Sequence, residues 1–454
     1  MNPDLRKLLV LAWPIVLARA SQSVIGFCDA LLVAPLGEAA LAGVTTGALN
    51  AFIAIVLPMG TVYILQSFTA QLRGRGELAA VHRYAWYGLG IACAAELVAL
   101  ALVPLLPFAL DAASYEPLVR QHLATYLSIR LLSVGPAVAI EALGNWYGGL
   151  GNTRPAMRAG VTAMLVNVLA CYVLIEPRFG LPGYGVAGSA WASVIGTLVG
   201  LAVIAVPFAK GVGAPPRPAR LNLRLREFAR VLRFGLPNGA NWFLEFASFV
   251  VFINGMVAQL GTTALAAFNV VIQLNSVAFM PAFGLASSGA ILVGEAIGRR
   301  DFADARRFTG LTLVAASAWM VSMGVLYVVV PGPLMQVFMH PGERALEFMA
   351  LGIVMLRFSA LWQIFDATAI VLSEALRAAG DTTWCMLVRI VLAWFAFVPG
   401  AWLFVIQWSG GVTAVMLVMV AYIAGLALAF AVRFQSGRWQ SIDLMGKPEP
   451  EPLA

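Results

Sequence analysis

The sequence predicts an all-α integral membrane protein of about twelve transmembrane helices, arranged as two six-helix lobes related by an internal repeat. Composition is the first ground for this. Of 454 residues, 61% are hydrophobic and 11% charged, with mean hydropathy +0.86, whereas soluble chains carry about a quarter charged residues. The second ground is self-similarity. Pro14, Leu36-Gly37-Glu38-Ala39-Ala40-Leu41-Ala42, Pro58, Gln71 and Gly74 return about 224 residues later. The copies are Pro237, Leu260-Gly261-Thr262-Thr263-Ala264-Leu265-Ala266, Pro281, Glu295 and Gly298.

Cutting at glycine, proline and charge clusters gives the spans in order. The first, 8–35, follows Arg6 and Lys7; it is too long for a cleavable signal and belongs to the repeat, so it is expected to stay as a helix. The second, 43–70, ends at Gln71-Leu72-Arg73-Gly74. The third and fourth, 84–108 and 118–148, precede Leu150-Gly151-Asn152-Thr153, which returns as Ala379-Gly380-Asp381-Thr382. The fifth and sixth, 157–176 and 186–208, complete the first lobe. Each span is roughly 20 residues or more, enough to cross a bilayer core of about 30 Å.

A Pro/Gly/basic linker from Lys210 to Arg220 marks the seam between lobes. Residues 222–230 read as a short amphipathic basic helix on the membrane surface leading into the seventh span. The second lobe then follows as 231–258, 264–296, 307–330, 347–376, 385–406 and 411–433. The tail from Lys447 to Ala454 is Pro-rich and polar, hence expected to be disordered. The organisation is a lobe over 1–210, a linker and surface helix over 211–230, a lobe over 231–436 and a tail over 437–454. Pro14, Pro58, Pro136, Pro237 and Pro281 fall inside spans, where neighbouring helices or cavity water must satisfy the carbonyls they free.

An even number of spans puts both termini on one side. That side collects most basic residues, from Arg6 and Lys7 through Arg73, Arg154, Arg224 and Arg299 to Arg433, while the opposite loops hold Arg120, Arg178 and Arg344. The asymmetry places both termini in the cytoplasm. The net charge of +7 therefore reflects topology and contact with anionic lipid, not nucleic-acid binding.

Acids within spans carry the functional signal, because a charge near the bilayer centre costs at least about 2.5–3.5 kcal/mol and needs a partner, an ion or water. Glu245 and Asp366 lie mid-span among aromatics and small polar residues, where a carboxylate can carry a proton or bind a hard cation such as Na⁺. Asp29 lies deeper in the first span than a snorkelling end residue should. Glu96, Glu141 and Glu374 suit structural contacts between helices, Glu374 beside Arg377 in particular. Arg19, Arg130, Arg357 and Arg389 also fall within spans and each needs a carboxylate, carbonyls or a wet cavity. Arg19 stands apart as a residue that could line a cavity and filter cations.

Trp13, Phe27, Tyr63, Trp146, Trp242, Phe243, Trp362 and Phe365, with several Met residues, offer an apolar, cation-attracting surface if they share a cavity, and helix packing otherwise. Cys28, Cys93, Cys171 and Cys385 lack metal-ligand spacing and read as small packing residues. No G-x-S-x-G, H-E-x-x-H or Walker A motif occurs, and His82, His122 and His340 sit at loops or span ends. The residues therefore favour a transporter driven by an ion gradient or a partner protein over an enzyme.

Order and spacing together make the chain resemble the multidrug and toxic compound extrusion (MATE) family over about 5–440. The carrying segments are Leu11-Ala12-Trp13-Pro14, Gly26-Phe27-Cys28-Asp29, Gln71-Leu72-Arg73-Gly74, Phe234-Gly235-Leu236-Pro237, Phe243-Leu244-Glu245, Val293-Gly294-Glu295-Ala296-Ile297-Gly298 and the run from Ala375 to Thr382. The resemblance implies two six-helix lobes around a V-shaped cavity and alternating-access export of lipophilic organic cations in exchange for Na⁺ or H⁺, with no other cofactor. Within the family the chain looks closest to the NorM-like branch. That likeness implies a cation site at Glu245 and Asp366, which would hold Na⁺ in a sodium-coupled protein, coupling at Asp29, and a neighbouring polar position at Asn167. Arg19, Cys28 and Val33-Ala34-Pro35 depart from the usual pattern. The expectation is a monomeric inner-membrane exporter; the alternative within the same superfamily is a flippase for lipid-linked precursors, which would need a more cationic cavity.

Overall fold

The computed structural model describes residues 3–111, 115–178, 180, 182–216, 218, 221–339 and 344–446. His340, Arg217, Arg220 and the tail from Lys447 lie outside the described residues. Among those described, 12 helices are long and apolar enough to cross a membrane. In order they are α1 (Pro3–Leu36), α2 (Glu38–Arg75), α3 (Val81–Asp111), α4 (Pro117–Gly149), α5 (Arg154–Leu174), α6 (Gly185–Ala209), α7 (Leu225–Leu260), α8 (Thr262–Gly298), α9 (Phe302–Val329), α10 (Ala345–Ala379), α11 (Thr382–Gln407) and α12 (Gly411–Gln435).

The repeat is written into the backbone. α1 ends in a 3₁₀ turn at Ala34–Leu36 and α7 in one at Val257–Leu260. Each then passes through a glycine, Gly37 at φ +106° and ψ 168° or Gly261 at φ +99° and ψ 164°. Side chains with a Cβ are barred from that region, so the paired Leu-Gly motif sets the same corner in both halves. The second shared corner is the positive-φ turn after α4 at Gly151 and after α10 at Gly380. Past α2 and α8 the halves differ: Gly76 takes φ +76° where Arg300 is held at φ +62°.

Contacts divide the chain into two compact units, one over Pro14–Gly239 and one holding the residues up to Trp13 with those from Ala240 onward. Both chain crossings fall inside continuous helices, α1 and α7, next to Pro14 and Pro237. The amphipathic stretch expected to lead into the seventh span, 222–230, is helical from Leu225 and continuous with that span, running unbroken to Gly255. Glu227 anchors its start, since Arg83 of α3 donates to both its oxygens at 2.8 and 2.9 Å and Tyr87 donates to it at 3.0 Å. The linker ahead of it is also held within this unit. His82 contacts the Pro215 carbonyl at 3.0 Å and the Tyr147 hydroxyl donates to Val212 at 3.0 Å.

In the first unit, α6 packs closely on α5 because Gly188, Gly196 and Gly200 face α5 backbone where a Cβ would collide. In the second, Phe252, Phe268, Phe397, Met416 and Phe430 form a buried core together with Leu8 and Ala12 of α1. α11 is the irregular helix, with π-helical turns at Val391–Phe397 and Trp402–Gln407 on either side of Pro399. Wide turns of this kind accompany a missing proline N–H and recur at functional sites.

Candidate functional site

Asp29 is the centre of a buried polar cluster in the first unit. It is 7% exposed; its Oδ1 accepts from Cys171 Sγ at 3.1 Å and its Oδ2 from Ser193 Oγ at 3.2 Å. Asn167 Nδ2 donates to Ser193 Oγ at 3.2 Å, and Asn167 Oδ1 has no partner among the described residues. Asn167 and Cys171 stand one turn apart on α5, and Ser193 faces them from α6, brought near by the glycine contacts above. Arg130 of α4 lies within Coulombic range of the carboxylate and donates to Ser133 Oγ. One acid, one free amide oxygen and a hydroxyl can hold a proton or a small cation, and their burial makes an empty charge there costly.

The other intramembrane acids of this unit, Glu141 and Glu96, and Arg19 are occupied structurally. Arg19 Nη2 and Nη1 donate to Glu141 at 2.6 and 3.2 Å, Asn145 Nδ2 donates to Glu141 Oε1 at 2.8 Å, and the guanidinium lies 5.9 Å from the Tyr63 ring centroid. Arg19 therefore ties α1 to α4. Glu96 Oε2 accepts from the Gly135 backbone N–H at 2.6 Å, where the 3₁₀ turn at Leu131–Ser133 ahead of Pro136 interrupts α4.

The second unit holds a different arrangement. Glu245 on α7 forms an ion pair with Arg389 on α11. Asp366 on α10 and Tyr422 on α12 lie within electrostatic reach of both. Among the described residues Asp366 makes neither a hydrogen bond nor an ion pair. The Tyr422 hydroxyl and Arg389 Nε are buried without hydrogen-bond partners among the described residues. Tyr422 stacks on Phe397 at 4.6 Å, and Phe430 sits 5.8 Å from the Arg389 guanidinium. The Glu245 side chain is 40% exposed against 12% for Arg389, so the carboxylate is the accessible end of the pair. Near the end of α10, Glu374 pairs with Arg377 and Asp381 with Arg433.

Glu245 and Asp366 are thus brought together, and Asn167 is brought to Asp29. Of the aromatics, Phe27 belongs to the first unit; Trp13, Trp242, Phe243, Trp362 and Phe365 belong to the second. Trp362 is 3% exposed and is core, whereas Phe27, Trp13 and Phe365 are exposed. Trp242 meets Phe283 edge-on at 6.4 Å. Cys171 is not simple packing, as read from the sequence, because its thiol donates to Asp29. Ser193 and Tyr422 escaped sequence reading. The four-residue spacing of Asn167 with Cys171 and of Ser189 with Ser193 was the available signal, since it places polar groups on one helical face. Among the described residues, no group of three or more His, Cys, Asp or Glu is placed to hold a metal ion.

Comparison with known proteins gives consistent results. The sequence model of the MatE family matches residues 14–173 and 240–403. Relatives named probable multidrug resistance protein NorM include one from Pseudomonas putida, 26% identical over 456 residues that cover 98% of this chain and 96% of the relative. Another, from Xanthomonas campestris, is 30% identical over 419 residues, 87% and 86% of the two chains. A MOP superfamily transporter from Pyrococcus furiosus superposes with TM-score 0.86 at 18% identity, over 97% of each chain. An outward-facing multidrug resistance MATE family transporter gives 0.83 at 19% identity over 98% and 97%. At these identities the structures establish the fold.

Proposed function

Because the chain belongs to the MatE family, a family of multi-pass membrane transporters and not of enzymes, we propose that it exports lipophilic organic cations in exchange for H⁺ or Na⁺. The observation that carries this reading is the pair of acidic clusters inside the spans, Asp29 with Asn167 and Ser193, and Glu245 with Asp366. Each lobe keeps one carboxylate group able to receive a positive charge, and the two lobes do so at positions the repeat does not relate. Arrival of one positive charge at the cluster of Glu245 and Asp366, with Asp29 coupled in the other lobe, stabilises one state of an alternating-access cycle and weakens drug binding. In the second unit the exposed Trp13 and Phe365, with Trp242 and Phe243, offer apolar surface to a substrate, and in the first unit the exposed Phe27 does so. The relatives named multidrug resistance proteins support this substrate class.

The distribution of basic residues supports cytoplasmic termini in the cell inner membrane, and the reading is of a monomer. The flippase alternative is weaker, because Arg19 and Arg389, which would supply a cationic cavity, are each engaged by a carboxylate.

The test is efflux of ethidium from proteoliposomes under separately imposed Na⁺ and pH gradients. Gradient-driven flux lost in Glu245→Gln, Asp366→Asn and Asp29→Asn is the expected result. Unchanged flux in all three, at normal expression, would refute the assignment.

A further inference from the structure

Resting on the reading of Glu245 and Asp366 as the cation seat, we propose that Arg389 is a resident cation that occupies that seat at Glu245 and bars Na⁺ from it. Arginine cannot shed its proton inside a protein, so wherever the guanidinium reaches, a permanent positive charge goes with it. Here it reaches Glu245 directly, from a side chain only 12% exposed, while Glu245 itself is 40% exposed. The charge lies inside the polar cluster and the carboxylate forms its mouth.

What faces Arg389 from the surrounding helices keeps it there. Glu245 approaches from α7, Asp366 from α10, and Tyr422 and Phe430 from α12, with Cys385 one turn earlier on its own helix. Its Nε finds no acceptor among the described residues. The ion pair with Glu245 and the face of Phe430 are therefore its principal anchors, and it sits immediately before the π-helical stretch of α11.

Formal charge shows the consequence. Two carboxylates and one guanidinium leave one negative charge, on Asp366. An alkali cation needs several oxygens converging on it. The oxygens of Glu245 and Asp366 could converge on Na⁺ only if the guanidinium left, because two monovalent cations in contact repel strongly in a poorly solvated site. The cluster thus accepts a single positive charge at Asp366, and an ion seat shared by Glu245 and Asp366 exists only when Arg389 is removed.

The experiment is thermal unfolding of the purified full chain in detergent, with NaCl compared against choline chloride at equal ionic strength. Wild type and Arg389→Lys should melt identically in the two salts. Arg389→Gln should gain a saturable rise in Tm with Na⁺, and Arg389→Gln combined with Glu245→Gln should lose it. A saturable Na⁺ shift in the wild type, or a folded Arg389→Gln indifferent to Na⁺, overturns the inference. Should Arg389→Gln fail to fold, Arg389→Met takes its place and the wild-type comparison stands by itself. A wild-type Na⁺ shift together with lost efflux in Glu245→Gln and Asp366→Asn sinks this inference alone; retained efflux in those two variants sinks the proposed function instead.

Discussion

The Arg19–Glu141 pair separates charge that serves folding from charge that serves transport. Its two hydrogen bonds, at 2.6 and 3.2 Å, join side chains only 14% and 9% exposed, and Asn145 adds a third donor to the carboxylate. Removal of the carboxylate by Glu141→Leu leaves the guanidinium stranded among apolar helices, at a cost of about 3–5 kcal/mol for a buried pair that loses one member. Two charge-assisted bonds at about 1.5–3 kcal/mol each give the same scale. Replacing both partners, Arg19→Met with Glu141→Leu, removes the buried charges together with their attraction, and most of the loss should return. Unfolding free energies from denaturant titration in detergent, read as a double-mutant cycle, should show coupling of at least about 2 kcal/mol, well above the roughly 0.3–0.5 kcal/mol scatter of independent sites. Additive losses would refute the argument. Efflux by the folded double variant should remain, because both charges are engaged by each other; loss of efflux would return Arg19 to the cavity role that its place in the first span suggested.

Three further outcomes follow from the same geometry. Gly37→Ala or Gly261→Ala should each lower stability by about 1–3 kcal/mol, purely through backbone strain, since neither added Cβ meets an atom within 4 Å; an unchanged melting curve would contradict this. Arg300→Gly should raise stability by about 0.5–1 kcal/mol, as the exposed arginine at φ +62° gives way to the residue that the other half uses at the matching corner. Asp29→Asn should abolish gradient-driven ethidium efflux with the fold retained, while Cys171→Ser, which keeps a donor at the same place, should preserve it; equal loss in both would assign the cluster a structural role.

The span count, the repeat and its corners were legible because each is a local property. Apolar run length sets what can cross a bilayer, and a Leu-Gly corner at φ near +100° is available to glycine alone. The acids within spans were also visible, as costly residues in apolar surroundings. At 222–230 the amphipathic pattern showed a helix leading into the seventh span, but not its anchor, Arg83, 144 positions away from Glu227.

Charge pairing between distant segments, unlike the local Glu374–Arg377 pair, is what the tertiary structure alone decided. Arg19 and Glu141 are 122 positions apart, and Asp29 meets Ser193 across 164. Arg389 could have met any carboxylate at its depth; the register of α7 against α11 selected Glu245 and left Asp366 without an ion pair among the described residues. Hydrophobic periodicity by itself determines that a helix spans and roughly where it ends. It leaves open the rotation of each helix and which neighbour it meets, and these depend on close approaches such as Gly196 against Ala163 and Asn167, which exist only once distant segments have packed.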